Sequence, residues 1–306
     1  MKIRVLSDLH VDINWRYPLE LDDKDTFTIV AGDTANNVDQ SIAWTQKNVK
    51  QGLVIAGNHL VYENDKQPVS SLKQRFANAF PLDSPVTFLD CMVGTVSKEV
   101  NNILFVGTTL YTDYRLLPDM PEHYARAYSS DPRYGMNDFY LGYTNDEGQI
   151  RHIKTADYQR WFMESKKEIM KAVVKNPDKE IVLVTHHGPS PQCCQATQDF
   201  YGYHGMPKRL QPSYASNLEP FIEAHPNIKL WICGHAHYRR NFRIGSCLVM
   251  MNPRGYGSES CEFNPNTFVD TKNWTCFQEP FCNSSWAQER KKELNEILRG
   301  PAGLFL

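Results

Sequence analysis

Five short, mostly apolar stretches punctuate the chain, at residues 3–6, 27–31, 53–56, 181–184 and 230–233. Their length and their lack of strict alternation read as strands buried on both faces. Each ends abruptly on polar residues: Asp8-Leu9-His10, Gly32-Asp33, Gly57-Asn58-His59, Thr185-His186-His187 and Gly234-His235-Ala236-His237. Between the first three runs lie helical candidates at 41–51 and 68–79, with Ser41 suited to an N-cap and Pro68 to a first helical turn. Residues 103–107 give a further strand. Residues 155–175 give the clearest helix, because Tyr158, Trp161, Phe162, Ser165, Ile169, Ala172 and Val173 share one face. Thr155 can cap that helix and Asn176-Pro177 ends it; its aromatics read as core. A short helix at 216–224 and a hairpin of 242–244 with 247–251, turning at Gly245-Ser246, complete the regular pattern.

Two regions escape it. Residues 112–152 are rich in Tyr, Pro, Asp and Arg and show no period, and so long a segment inside a domain is expected to be a lid or substrate-facing insertion. Residues 264–283 also lack a period. They lead into a charged amphipathic helix at 284–299, where Trp286, Leu294, Ile297 and Leu298 are available for docking. The expected organisation is one α/β domain over 1–270, with 112–152 inserted over its site, and a 271–306 extension.

The polar clusters matter because of where they fall. Open α/β sheets build their sites beyond the carboxyl ends of the strands. Carboxylates, imidazoles and one asparagine converging there suit two divalent ions a few ångströms apart, with one carboxylate between them.

In order and spacing, the five clusters resemble the calcineurin-like metallophosphoesterase superfamily: Asp-x-His, Gly-Asp, Gly-Asn-His, a single His, then Gly-His-x-His. A bacterial and phage-type branch is resembled more narrowly through Thr109-Leu110-Tyr111-Thr112-Asp113-Tyr114-Arg115-Leu116, Asn137-Asp138-Phe139, Thr185-His186-His187-Gly188-Pro189-Ser190 and Asn252-Pro253-Arg254-Gly255-Tyr256. The resemblance implies a four-layer α/β/β/α sandwich, with two mixed sheets flanked by helices. It implies that Asp8, His10 and His237 hold one metal, that Asn58, His186 and His235 hold the other, and that Asp33 bridges them. It further implies phosphoester hydrolysis by a metal-bound hydroxide, with His59 acting near the leaving oxygen. Elementary chemistry agrees with the division. A carboxylate can bridge two dications while cancelling charge, and neutral imidazoles and an amide oxygen leave the pair electrophilic. Of the adjacent histidines, His186 matches the ligand position and His187 is expected to face substrate or support the site. Arg254, Tyr111 and Arg115 are further candidates for substrate contact, although for Arg254 the favoured reading is a turn-fixing residue. One departure stands out. Many relatives carry an acidic residue directly after Gly-Asn-His, where it often orients the histidine, and here that residue is Leu60; Glu63 or Asp65 could compensate.

Composition narrows the function without deciding it. The 306 residues are 41% hydrophobic and 22% charged, with a net charge of −2, as in an ordinary globular protein. No basic stripe points to nucleic acid, no apolar run approaches the roughly 18 residues of a membrane span, and no secretory signal is visible. The eight cysteines show no metal or small-scaffold spacing and read as free thiols of a cytoplasmic protein. The favoured function is a phosphodiesterase acting on a small molecule or nucleotide with two divalent ions, Mn first and Fe, Zn, Ni or Mg as alternatives. The alternatives are a protein or nucleotide phosphomonoesterase, then a nuclease or a non-catalytic metal-binding scaffold.

Overall fold

The computed structural model describes residues 1–279, except 17, 22–25, 64, 195–205, 258 and 260. The helix expected at 284–299 and Cys282 lie outside the described residues. The chain runs β1 (Lys2–Leu6), β2 (Phe27–Ala31), α1 (Val38–Asn48), β3 (Gly52–Ile55), α2 (Val69–Ala79), β4 (Val86–Phe88), β5 (Ser97–Val100) and β6 (Ile103–Thr108). It continues with α3 (Glu122–Ser129), α4 (Asp138–Leu141), the hairpin β7 (Tyr143–Asp146) and β8 (Gln149–His152), then α5 (Thr155–Lys175) and β9 (Glu180–Thr185). The last elements are α6 (Glu219–Glu223), β10 (Ile228–Cys233), β11 (Arg240–Ile244), β12 (Cys247–Met251), β13 (Thr267–Asp270) and β14 (Thr275–Gln278).

Two six-stranded mixed sheets result, ordered β14-β13-β1-β2-β3-β4 and β11-β12-β10-β9-β6-β5. The central strands of each are parallel; antiparallel strands finish both edges of the second sheet and the β13–β14 edge of the first, whose other edge strand, β4, runs parallel to β3. Period-two alternation sends one residue set inward from each sheet. Ile3, Val5, Ile29, Leu53 and Ile55 from one meet Phe105, Val182, Val184, Leu230 and Ile232 from the other, all buried. The opposite set, including Leu6, Val30, Val54, Leu183 and Trp231, packs in a second cluster with helix residues such as Leu72, Phe76, Phe162 and Ile169. Burial on both faces explains why the runs do not alternate in sequence. Truncating any of these leucines to alanine is expected to cost about 2–5 kcal/mol.

Three local expectations are corrected. Helix α1 begins at Val38, earlier than Ser41, because Asn37 accepts from the amides of Asp39 and Gln40 and takes the cap; Ser41 donates to the Ala35 carbonyl at 3.3 Å. Helix α5 begins at Thr155 and so is not capped by it; the Lys154 amide donates to the Asp157 carboxylate at 2.8 Å instead. The 112–152 segment is not irregular throughout, since α3, α4 and the β7–β8 hairpin occupy it. The first sheet also continues past residue 270 through β14, which pairs antiparallel with β13.

Candidate metal centre and cleft

The loops after β1, β2, β3, β9, β10 and β12 meet at one end of the sandwich. A parallel bridge between Ser7 and Pro253 ties the two sheets together there. Space at this end is tight. A Cβ on Gly57 would lie 1.9 Å from Asp33 Oδ1, so only glycine lets the third loop pass the second. Asp8 (φ 49°), His10 (42°), Asp33 (50°), His235 (68°) and His237 (54°) all adopt left-handed backbone. For side chains of this kind that conformation is uncommon and costs about 1–3 kcal/mol each.

The side chains of Asp8, His10 and His237 form one group, and those of Asp33, His186 and His235 another, with ligand atoms in each lying within 4.8 Å of one another. His10 Nε2 and His237 Nε2 are 3.2 Å apart, and His237 Nε2 is 3.4 Å from Asp8 Oδ1. His186 Nε2 lies 3.0 Å from Asp33 Oδ2 and 3.0 Å from Asn58 Oδ1. The ring tautomers follow from their other contacts. His186 Nδ1 faces the Ala31 carbonyl at 2.9 Å and His237 Nδ1 faces Glu259 at 2.6 Å. Both acceptors require an N–H, so both rings turn Nε2 toward the carboxylates.

Electron-rich atoms therefore converge around buried Asp8 and Asp33, an arrangement that needs positive charge. Burial opposes the His186 imidazolium, but Asp33 and Asp8 outweigh it and raise the ring to about 9. Burial likewise opposes charge on His237, and Asp8 with Glu259 raises it to about 10. His10 and His235 go the other way, lowered first by burial and then by neighbouring histidines. Asp33, despite burial, is held well below the usual carboxylate range by His186 and His59. His235 Nε2 is buried with no hydrogen-bond partner among the described residues. Nitrogen and oxygen donors around an unmet demand for cations fit two divalent ions.

His59 also lies near His10 and Asp33, but both its nitrogens are engaged. Nδ1 is 2.7 Å from Asn36 Oδ1, and Nε2 is 3.0 Å from the Tyr256 hydroxyl. Asn36 Nδ2 reaches Glu63 Oε1 at 3.4 Å. A carboxylate only accepts, so Asn36 must turn its oxygen to His59, and His59 Nδ1 carries the hydrogen. Neither Asn36 nor Tyr256 was singled out for this role in the sequence; Leu60 was the signal that an unusual partner was needed. Of Glu63 and Asp65, Glu63 contributes, one residue removed.

A cavity of about 270 Å³ opens over this cluster, lined by Asn58, His59, His235 and His237. Gly135, Met136 and Asn137 of the 112–152 insertion form part of its wall. The expected substrate contacts fare differently. Tyr111 is buried against Tyr158 and Trp161, with ring centroids 4.6 and 4.9 Å away, because its left-handed backbone turns it into the core. Arg115 is exposed and engaged by Glu122 at 2.7 Å. His187 is buried behind His235, its ring 4.3 Å away and its Nδ1 3.3 Å from the Thr109 carbonyl. Arg254 is buried in the turn after β12, its amide donating to the Ser7 carbonyl. None of the four lines the cavity.

The family model of the calcineurin-like phosphoesterases matches residues 1–239. An uncharacterized protein, L509, of Acanthamoeba polyphaga mimivirus is 23% identical over 301 residues, covering 88% of this chain and 96% of the relative. Among solved structures, the phosphopantetheinyl hydrolase PptH of Mycobacterium tuberculosis aligns with a TM-score of 0.63 at 18% identity, over 83% of this chain and 89% of that one. A dimetal phosphatase from Danio rerio aligns with a TM-score of 0.47 at 12% identity, over 88% and 91% of the two chains. At such identity the likeness to PptH is one of fold.

Proposed function

Because the chain belongs to the calcineurin-like phosphoesterase family and is a metal-dependent phosphoester hydrolase, we propose that its substrate is a phosphodiester of small-molecule or nucleotide size. The observation that carries this reading is the cavity wall. Among the described residues it presents no lysine or arginine, but Tyr62, Tyr214, Tyr238 and Tyr256 together with Met136 and Met206. A phosphomonoester brings a second negative charge, which a guanidinium or ammonium would ordinarily meet. A diester brings one charge and a second organic arm, which aromatic and thioether walls can hold. The same lack of basic groups disfavours a polynucleotide, whose binding rests on phosphate neutralisation.

In this reading Asp8, His10 and His237 would hold one divalent ion, Asn58, His186 and His235 would hold the second, and Asp33 would serve both. When bound, the ions neutralise the phosphoryl oxygens and supply a nucleophile at neutral pH. The chain's own residues arrange the rest. The His59 amide donates to Asp33 Oδ1 at 3.0 Å, fixing the bridging carboxylate. As an imidazolium His59 would direct one N–H from Nδ1 to Asn36 and donate the proton on Nε2 to the leaving oxygen, with the Tyr256 hydroxyl beside it as a further donor.

The test compares bis(p-nitrophenyl) phosphate with p-nitrophenyl phosphate as substrates of the manganese-loaded protein, with Asp33→Asn as control. A higher kcat/KM for the diester, lost in the control, is expected. Preference for the monoester would overturn the substrate reading, and full activity in Asp33→Asn would overturn the site.

A further inference from the structure

Asp138 is wholly buried, yet no lysine or arginine lies within ion-pairing distance among the described residues. It accepts from two phenols instead. Tyr62 donates to Oδ2 at 2.8 Å, and Tyr158 of α5 donates to Oδ1. Tyr62 in turn accepts from Asn58 Nδ2 at 3.4 Å. The direction of this chain is fixed by chemistry. A carboxylate cannot donate, so the Tyr62 hydrogen must point to Asp138, leaving a lone pair for the Asn58 amide nitrogen. Asn58 must then turn its oxygen the other way, toward His186 Nε2.

We propose that Asp138, acting through Tyr62, is the positioning residue that holds the Asn58 carbonyl toward the second metal, so that the 112–152 insertion is part of the metal centre. This rests on the reading of Asn58 as a ligand. The carboxylate is needed because an amide at 138 could donate into Tyr62. The phenol hydrogen would then swing to Asn58 and favour the flipped amide, NH₂ toward the ion. The same segment walls the cavity through Gly135, Met136 and Asn137, so whatever seats it over substrate also seats the ligand.

The test titrates Mn²⁺ into the metal-free full chain by calorimetry, with folding followed by circular dichroism. Tyr62→Phe keeps the ring that packs on His59, at 4.1 Å between centroids, and removes only the hydroxyl. Tyr62→Phe and Asp138→Asn should keep the first ion at wild-type affinity and bind the second about 10- to 100-fold more weakly, the usual cost of losing a group that orients a ligand. Tyr158→Phe removes the other phenol and should keep both ions even if its melting temperature falls. Wild-type affinity for both ions in Tyr62→Phe would overturn the inference, as would equal weakening of both ions or loss of the second ion in Tyr158→Phe. If Asp138→Asn does not fold, Tyr62→Phe decides. A wild-type chain that binds fewer than two ions would refute the two-ion reading itself.

Discussion

Replacing Asn36 with alanine isolates what this chain uses to orient its candidate acid. The perturbation deletes the acceptor 2.7 Å from His59 Nδ1, where both residues are about 8% exposed and water cannot easily substitute. The loop itself should survive, because the Asn36 amide is held separately by Asp12 Oδ2 at 3.1 Å. Leaving a buried N–H unpaired costs about 1–3 kcal/mol. If that cost falls on the transition state, kcat/KM for bis(p-nitrophenyl) phosphate drops about 5- to 150-fold, at about 1.4 kcal/mol per tenfold. The assay is steady-state hydrolysis at matched manganese content, run as a cycle with His59→Asn. Once His59 is gone, the Asn36 change should have little left to remove, while Asn36→Asp, which keeps the acceptor, should recover most of the rate. An equal loss in the presence and absence of His59 would refute the argument, since Asn36 would then act on something else.

Lys73 and Asp90 form a wholly buried pair at 2.7 Å, and Lys73→Met should lower unfolding free energy by about 3–5 kcal/mol in a urea titration because it strands the Asp90 charge. Exchanging both partners for apolar residues should recover much of the loss, and failure to do so would contradict the desolvation account. Gly57→Ala forces a methyl to 1.9 Å from Asp33 Oδ1, so the variant should fold by circular dichroism but lose metal content by mass spectrometry. Asp157 is held below its ordinary value of 3.8, as Arg151 and the Lys154 amide outweigh its burial. Its contribution is therefore present above the unfolded value and is lost as pH falls below about 4 through the folded one. Asp157→Asn should flatten that acid limb of the stability curve, and an unchanged limb would show that other carboxylates govern it.

The sheets were legible because strands buried on both faces announce themselves as short apolar runs, and each motif follows such a run. Helix α5 was legible because about four turns of one apolar face, from Tyr158 to Val173, leave little ambiguity. What stayed hidden depends on tertiary partners. The insertion folds around Asp138, whose two phenols come from residues 62 and 158, and neither short helix there has a period of its own. Tyr256 lies 197 residues from the histidine it contacts, and Asn36 lies 23 away, so no local pattern couples them. That Tyr111 turns inward and Arg115 outward was not legible, because a loop's sequence does not reveal which way its side chains turn.

The left-handed backbone at Asp8, His10, Asp33, His235 and His237 has an evolutionary corollary. Those five positions work against the stability of the metal-free chain, and glycine or asparagine would relieve each of them. A randomised library propagated only for heat resistance in chelator should therefore drift toward those two residue types at residues 8, 10, 33, 235 and 237. A library propagated for turnover should hold all five. The divergence between the two lineages would map the metal centre from sequencing counts alone.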